Sequence, residues 1–284
     1  MDEQCDASLL SMLCGAAVNL SGKRILLTGA AGRIGRELSL ALAAKGARLG
    51  LVGRTDASVA SLEYLVSTRA MDAIVIQANV TEPKARHGAA QRMILTYGGI
   101  DVLINLAGVL DVNLFCESDA AVTSRLLQVN IEAPMAMVRE VLPSMIARGS
   151  GHIVNIGSIF GSIGYPGFAT YSASKFALRG FSQALRRELS KSGIAVTYVS
   201  PRGVRKCFDP SAVDAMTAQG AMHMDDAPWV AAHIVTAIEQ KKDEVYFGFS
   251  ESVLARVNAV MPRLLDRTLR KISPSRTRFA RGMT

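Results

Sequence analysis

Tyr171 and Lys175 are spaced for proton transfer. They stand four residues apart in a stretch with helical periodicity, so both side chains would lie on one face of a helix. A phenol with a reference pKa of about 10 is a weak base at neutral pH, but a neighbouring ammonium group stabilises the phenolate and lowers that pKa. The pair is therefore suited to exchanging a proton with a carbonyl or alcohol oxygen.

Ser158 and Asn130 are the polar residues that could assist this pair. Ser158 follows an apolar run of strand length, so we expect it at the carboxyl end of a strand, where open α/β sheets bind ligands. Its hydroxyl could then hydrogen-bond the substrate oxygen. Each residue also has a structural alternative: a turn cap for Ser158, an interfacial aromatic for Tyr171, a solvated lysine for Lys175 and a polar helix residue for Asn130.

The elements that must position these residues alternate along the chain. Strands are predicted at 24–27, 48–52, 73–76, 102–105, 152–156, 195–199 and 245–247, and helix-like stretches include 33–45, 119–148, 171–192 and 228–240. Continuously apolar strands are typical of parallel sheets covered on both faces. The sequence therefore predicts one α/β domain with a doubly wound, Rossmann-type, seven-stranded parallel sheet over residues 21–249, with extensions at 1–20 and 250–284.

A glycine-rich turn follows the first predicted strand and leads into a helix. Glycines allow a sharp turn and a close approach to a pyrophosphate, while the first N–H groups of the helix attract the anion. We therefore assign cofactor contacts to Gly29, Gly32, Arg33, Ile34 and Gly35. Glycines that merely end a strand are the alternative.

Arg54 follows the second predicted strand, where an NAD-selective site usually carries an acidic residue for the ribose 2′-hydroxyl. A 2′-phosphate requires a cation instead, so Arg54 favours NADP(H). A solvated arginine in a loop is the alternative.

The ordered motifs resemble those of the short-chain dehydrogenase/reductase family over about residues 20–249. They comprise the glycine loop, Asn105-Leu106-Ala107-Gly108, Asn130, Ser158, Tyr171-x-x-x-Lys175 and Pro201-Arg202-Gly203-Val204. The resemblance implies an NADP(H)-dependent carbonyl reductase or alcohol dehydrogenase in which Tyr171 is the acid/base, Lys175 also binds the nicotinamide ribose, and Asn130 holds a water in a proton relay.

Further cofactor contacts are implied by the resemblance. Asn105 would support the sheet, and Ala107 and Gly108 would pass close to the adenine ribose. Asn79 and Val80 match a position where the family often has Asp-Val, and the amide of Asn79 could hydrogen-bond the adenine amino group.

Two motifs depart from the family pattern. Arg33 occupies the usual place of a loop glycine, as it does in pteridine reductases, and Lys206 replaces a threonine that normally meets the cofactor. The resemblance assigns Pro201, Gly203 and Val204 to the nicotinamide end, where Val204 offers backbone groups to the amide.

Composition excludes several classes of protein. The four cysteines have no Cys-x-x-Cys pair and the four histidines have no metal-ligand spacing, so we expect neither a disulfide framework nor a metal site. The start of the chain is acidic, which is unlike a secretory signal, and a short helix is expected there. A cytoplasmic protein fits best, as a homodimer or homotetramer.

Residues 207–229 are expected to form a variable substrate loop. Phe208, Met216, Met222, Met224 and Trp229 would suit a medium or long apolar carbonyl substrate, although packing of the loop itself explains them equally well.

The segment after Ser250 is predicted to be a basic amphipathic helix from 252 to 272, kinked at Pro262 and docked on the body. Its apolar positions are Val253, Val257, Val260, Met261, Leu264, Leu265, Leu269 and Ile272. Packing on the body or on a second subunit, an anionic membrane surface and an acidic acyl-carrier protein all remain open, whereas nucleic acid is not expected.

Three functions are therefore compatible with the sequence. An oxidoreductase is favoured by the four candidate catalytic residues. A catalytically silent nucleotide sensor or scaffold, and a peripheral membrane protein acting through its basic tail, are the alternatives.

Overall fold

The computed structural model describes residues 17–205, 224–266 and 269 as an α/β fold. Its strands are β1 (Arg24–Thr28), β2 (Arg48–Gly53), β3 (Ala73–Gln77), β4 (Val102–Asn105), β5 (Gly151–Ile156), β6 (Ile194–Ser200), β7 (Gly203–Val204), β8 (Met224–Asp225) and β9 (Glu244–Tyr246). Each predicted strand is present within a residue or two of its expected ends.

Seven of these strands form one parallel sheet in the order β3-β2-β1-β4-β5-β6-β9. The chain runs outward from β1 to β3, then returns to β4 on the other side of β1 and runs outward again. The predicted doubly wound sheet is confirmed. Ligands of such sheets bind at the carboxyl ends of the strands where the winding reverses, which here lies between β1 and β4. The short strands β7 and β8 pair separately, close to that edge.

Eight α-helices have both ends in the described part of the chain, and residues 262–266 are helical as well. They are α1 (Arg33–Ala44), α2 (Asp56–Thr68), α3 (Pro83–Tyr97), α4 (Ala120–Leu127), α5 (Ala133–Arg148), α6 (Ala169–Glu188), α7 (Ala227–Glu239) and α8 (Phe249–Val260). The single helix predicted over 119–148 is wrong in one respect, because a π-helical turn at Gln128–Glu132 separates α4 from α5.

An apolar core covers each face of the sheet. On one face the strands pack against α1 and α7, with Leu38 and Ile234 fully buried. On the other face they pack against α3, α5 and α6, through residues such as Met93, Met137 and Leu185. Both faces of the central strands are therefore dry, which explains why their sequences are continuously apolar.

The segment after Ser250 docks only in part as predicted. Leu265 is buried, and Val257 and Leu269 pack against the cluster around Phe160. Val253, Val260, Met261 and Leu264 are exposed instead, so the expectation that the whole stripe faces the body is wrong. Polar contacts set the orientation of α8: Asn258 donates to the Ser162 carbonyl oxygen at 2.7 Å, and Glu251 binds Arg202.

Several expectations fall on residues outside the described part of the chain. They are the helix before residue 17, Lys206 of the motif after β6, most of the proposed substrate loop with Phe208, Met216 and Met222, and the tail beyond Leu269 with Ile272. Met224 and Trp229 are described, but they belong to β8 and α7 rather than to a loop.

Across residues 17–205 and 224–266, no helix has the length and apolar character that spanning a bilayer would require.

The side chain of Tyr198, on β6, packs against Gly157 and Gly161, which follow the end of β5. Its buried phenol ring occupies the space that side chains at Gly157 and Gly161 would need. The hydroxyl donates to the Ser158 carbonyl oxygen at 3.4 Å and accepts from the Ser158 N–H at 3.5 Å. Tyr198 therefore fixes the backbone of Ser158 from behind.

We expect Gly157→Ala to lower the free energy of unfolding by about 1–3 kcal/mol, because the new methyl group would clash with the Tyr198 ring. Gly164→Ala is the matched control, since its methyl group meets open space. Combining Gly157→Ala with Tyr198→Val should cost less than the two single losses together, as measured by urea unfolding. If the two losses in the free energy of unfolding are strictly additive, the methyl group at position 157 does not clash with the Tyr198 ring.

Candidate active site

Two adjoining cavities lie at the carboxyl edge of the sheet. A groove of about 550 Å³ runs from the glycine loop past the ends of β2 and β3, and a cavity of about 260 Å³ lies over the ends of β5 and β6. Ile34, Leu106, Gly108 and Val109 line both. A long ligand can therefore extend from one into the other without leaving the sheet edge.

The glycine loop is shaped by two positions that tolerate no side chain. Gly29 has φ +72°, and a Cβ there would lie 2.7 Å from the Ala107 nitrogen, so β1 and the loop after β4 touch directly. A Cβ at Gly35 would clash with the Gly29 carbonyl oxygen. Gly32 precedes the first residue of α1 and donates its N–H to the Gly29 carbonyl oxygen at 3.1 Å. This hydrogen bond closes the glycine loop immediately before the helix begins. The first turn of α1 lines the groove.

Two arginines contribute to the wall of the groove. Arg33 and Arg54 are both exposed and both contribute to its wall. Thr55 and Ser58 also line it, and they form a reciprocal capping box at the start of α2, which holds the loop after β2 in place. No aspartate or glutamate is among the described residues that line this groove.

Asn79 and Val80 line the groove as predicted, but the amide of Asn79 is already engaged. Its oxygen accepts from the Thr81 N–H at 3.2 Å, and its nitrogen donates to Glu82 at 2.9 Å. The side chain thus stabilises its own loop, and a contact with an adenine amino group would require these bonds to rearrange.

The smaller cavity brings Ser158, Tyr171 and Lys175 together, with Pro201, Gly203 and Val204 on its opposite wall. Ser158 Oγ accepts the Phe160 N–H at 3.2 Å, which occupies a lone pair and leaves the hydroxyl proton available to a ligand. The Phe160 ring meets the Tyr171 ring edge-on, with their centroids 6.2 Å apart, and so restricts the position of Tyr171.

Lys175 is buried, with only 5% of its surface exposed. It projects from the second turn of α6 and donates to the Ile156 carbonyl oxygen at 3.1 Å, and its Nζ lies 5.6 Å from the centre of the Tyr171 ring. Burial lowers the pKa of Lys175 to about 8, because removing the ammonium group from water disfavours its charged form.

Asn130 lies behind this cavity rather than in its wall. It is fully buried in the π-helical turn, a feature often found at functional sites. Its side chain exchanges two hydrogen bonds of 2.9 Å with the backbone of Val109 and donates to Ser174 Oγ at 3.1 Å. These bonds use both protons of the amide nitrogen and one lone pair of its oxygen, so the side chain anchors the loop after β4.

Asn105 also lies beneath the groove and not on its surface. It is buried, and it donates to Asn155 Oδ1 at 2.9 Å and to the Pro134 carbonyl oxygen at 3.4 Å. The expected support of the sheet fits this position, whereas direct contact with a cofactor does not. Ala107 and Gly108 do line the groove.

Thr28 and Arg202 are two site residues that sequence reasoning missed. Thr28 Oγ1 accepts the N–H groups of Leu106 and Ala107 at 3.1 and 3.2 Å, and it thereby fixes the loop that both cavities share. The position of Thr28 at the carboxyl end of β1, the edge where such sheets bind ligands, could have identified it from the sequence.

Arg202 lines the smaller cavity but is bound on its other side. Its Nε donates to Asp225 at 2.9 Å, and its Nη1 lies 3.4 Å from a Glu251 oxygen. The guanidinium thus joins the connection between β6 and β7 to β8 and α8. Nothing in the spacing of these three residues along the sequence indicated this contact.

Comparison with known proteins places these features in context. A family model described as short chain dehydrogenase matches residues 23–214. Dehydrogenase/reductase SDR family member 7B of Danio rerio is 30% identical over 268 residues, covering 88% of this chain and 85% of the relative. The protein of the same name from Bos taurus is 33% identical over 237 residues, covering 78% of this chain and 72% of the relative.

The crystal structure of a short-chain dehydrogenase from Streptomyces avermitilis superposes with a TM-score of 0.76 at 28% identity. The match covers 90% of this chain and 99% of that protein. The agreement therefore extends over nearly the whole fold.

The burial of Lys175 predicts a pH-dependent stability. Its pKa is about 8 in the folded protein and 10.5 in the unfolded chain, so between these values the unfolded chain binds more protons and stability rises with pH. Raising the pH from 7 to 10 should increase the free energy of unfolding of the ligand-free protein, relative to Lys175→Met, by up to about 3 kcal/mol.

Urea unfolding at several pH values measures this difference, and Lys191→Met, at an exposed position, is the control. For the control the difference from wild type should stay constant. A constant difference for Lys175→Met as well would mean that Lys175 titrates as it does in water.

Proposed function

This chain belongs to the short-chain dehydrogenase/reductase family, and on that premise we propose that it interconverts an apolar carbonyl compound and its alcohol with NADP(H). The family uses nicotinamide cofactors, so the chain is an oxidoreductase of that class. The observation that carries the finer proposal is the continuity of the glycine-loop groove with the cavity that holds Ser158, Tyr171 and Lys175.

The residues fit a dinucleotide along this path. Gly29 and Gly35 leave a cradle that any side chain would fill, and the start of α1 offers N–H groups to a pyrophosphate. Gly108 and Val109 lie midway along the path. Lys175, Gly203 and Val204 line the cavity at the other end, where a nicotinamide riboside would lie.

The reaction then depends on three side chains of this cavity. The bound nicotinamide supplies or accepts the hydride. In the direction of reduction the Tyr171 hydroxyl donates its proton to the carbonyl oxygen, and Ser158 Oγ–H hydrogen-bonds the same oxygen and holds it. The Lys175 ammonium lies beside the Tyr171 ring and stabilises the phenolate that remains. In oxidation the same groups act in reverse.

The low pKa of Lys175 limits this mechanism at alkaline pH. Loss of the ammonium proton, which is half complete near pH 8 in the ligand-free protein, removes the charge that stabilises the phenolate. Asn130 supports the site through Val109 and Ser174 in this proposal, and the second lone pair of its amide oxygen is the acceptor that its side chain can offer to a relay water.

Preference for NADP(H) is supported by the charge of the groove. Arg33 and Arg54 line it, and the described wall carries no carboxylate that would repel a 2′-phosphate. Asp56, the nearest acidic residue in the sequence, accepts a hydrogen bond from Gln77 at 2.7 Å. The two guanidinium groups can bind a phosphate with charge-assisted hydrogen bonds.

An apolar substrate is supported by the lining of the smaller cavity. Leu106, Leu110, Ile159 and Phe160 contribute to it. Besides Lys175, which lies beside Tyr171, the lining holds the cation Arg202, and Asp225 and Glu251 already neutralise Arg202. Uncharged aldehydes and ketones are therefore the compounds to screen.

Tyr171→Phe should lower kcat for carbonyl reduction by about 10²–10⁴-fold, because the proton donor is lost. NADPH affinity should change little, since Lys175 and the glycine loop remain. Tyr165→Phe is the control, because Tyr165 also stacks on Phe160, with ring centroids 4.7 Å apart, but does not line the cavity. Turnover by Tyr171→Phe at the wild-type rate would overturn the mechanism. Binding of NADPH by the wild type with no turnover of any carbonyl compound would instead favour a silent nucleotide sensor.

Arg54→Asp should raise the Kd for NADPH at least tenfold and leave the Kd for NADH within about threefold, because a carboxylate would repel only the 2′-phosphate. Fluorescence titration with both cofactors measures this change. Arg69→Asp, at the exposed end of α2, is the control for charge alone. Equal affinities of the wild-type protein for NADH and NADPH would refute the preference.

A further inference from the structure

The exposed side of α8 carries large apolar side chains where a surface helix normally carries polar ones. Phe249, Val253, Arg256 and Val260 recur at the spacing of one helix face. Phe249 is 87% exposed and Val260 80% exposed. The apolar stripe of α8 therefore faces the solvent.

Polar contacts hold α8 in this orientation. Ala255 is the buried residue of the helix, and Glu251 and Asn258, on the same side, bind Arg202 and the Ser162 carbonyl oxygen. Rotation of α8 to bury Phe249 would break both of these contacts. The outward stripe is therefore built into the fold.

The apolar surface continues beyond the end of α8. Met261 and Leu264 are exposed, and with Val260 they line a shallow concavity of about 440 Å³. Phe249, Val253, Val260, Met261 and Leu264 are together called the α8 face. Burying this much apolar area is favourable for any surface that can accept it.

The charge around the α8 face points to an anionic surface. Arg256 and Arg263 are exposed within it, and the described carboxylates after Ser250 are Asp266 and the Arg202-bound Glu251. Residues 250–284 hold eight lysines and arginines but two acidic residues. Basic residues interleaved with large apolar ones are typical of segments that lie in the interface of an anionic membrane.

A second copy of the chain fits this surface less well. A twofold interface would set the α8 face against itself and bring its arginines towards one another. An acidic protein would neutralise the arginines, but it would need an apolar patch as well. We therefore propose that the α8 face docks on an anionic lipid surface, with its apolar side chains among the acyl chains and Arg256 and Arg263 at the headgroups.

Docking in this way would bring the catalytic cavity to the membrane. Glu251 of α8 contacts Arg202, which lines that cavity, so the membrane-facing helix also supports its wall. An apolar substrate dissolved in the bilayer would then have a short path to Tyr171. This consequence rests on the proposed function, whereas the docking itself does not and is measured without turnover.

The test is co-sedimentation of the full chain with vesicles of phosphatidylcholine alone or with 30 mol% phosphatidylserine. We expect at least tenfold stronger partitioning onto the anionic vesicles, and weaker partitioning in 0.5 M salt. Phe249→Ser combined with Val260→Ser should lower the partition coefficient at least tenfold, and Arg256→Gln with Arg263→Gln about fivefold for each arginine removed.

Tyr64→Ser combined with Leu95→Ser is the matched control, because these large apolar side chains are also exposed, to 68% and 79%, on α2 and α3. It should bind vesicles as the wild type does. Equal vesicle binding by the Phe249/Val260 variant and the wild type, or no binding by the wild type, would overturn the proposal. If analytical ultracentrifugation shows that the Phe249/Val260 variant alone loses an oligomer, the α8 face covers a second copy instead, and the proposal is likewise wrong.

Discussion

A lysine ammonium group held out of water is the constraint on which the rest of the site depends. Lys175 is buried against the end of β5, where the Ile156 carbonyl oxygen is its hydrogen-bond acceptor and the Tyr171 ring its neighbour. Desolvation lowers its pKa to about 8. A Cβ at Gly108 would lie 3.6 Å from Nζ and 3.3 Å from Asn130 Oδ1, so the surrounding residues must be small or firmly anchored. Burying an ammonium group costs free energy, and proteins bury such groups most often at functional sites, where a charge is needed in a cavity without water.

Polar groups inside the fold keep the walls of that cavity in place. Asn130 ties the loop after β4 to α6, Thr28 ties the same loop to β1, and Tyr198 supports Ser158 from the neighbouring strand. Each contact joins a residue at the carboxyl edge of the sheet to an element distant in sequence. The site is therefore rigid because the sheet edge is rigid, which is what positioning a substrate oxygen between Ser158 and Tyr171 requires.

The fold and the members of the site were largely predictable from the sequence, because they depend on local patterns. Continuous apolar runs predicted β1 to β6 and β9, and the spacing from Ser158 to Tyr171 and Lys175 predicted the cavity in which they meet. The break at Asn130 and the burial of Asn105 were not predicted, since a π-helical turn and a hydrogen bond to Asn155 leave no periodic signal. The prediction for the orientation of α8 was wrong for a similar reason. Apolar periodicity indicated that its stripe faces the body, but contacts of Glu251 and Asn258 with residues far along the chain decided otherwise.

Deuterium transfer from [4,4-²H₂]NADPH, labelled on both faces of the nicotinamide, to a panel of apolar aldehydes and ketones is the direct test of hydride transfer by this protein. We expect the full chain to deliver one deuterium to the carbonyl carbon of at least one medium or long apolar substrate, detected by mass spectrometry of the alcohol. Carboxylate-bearing analogues of the same length should be poorer acceptors. Tight binding of NADPH with no deuterium in any alcohol, and no return transfer from deuterated alcohols to NADP⁺, would contradict it. The cavity around Lys175 would then serve nucleotide recognition alone.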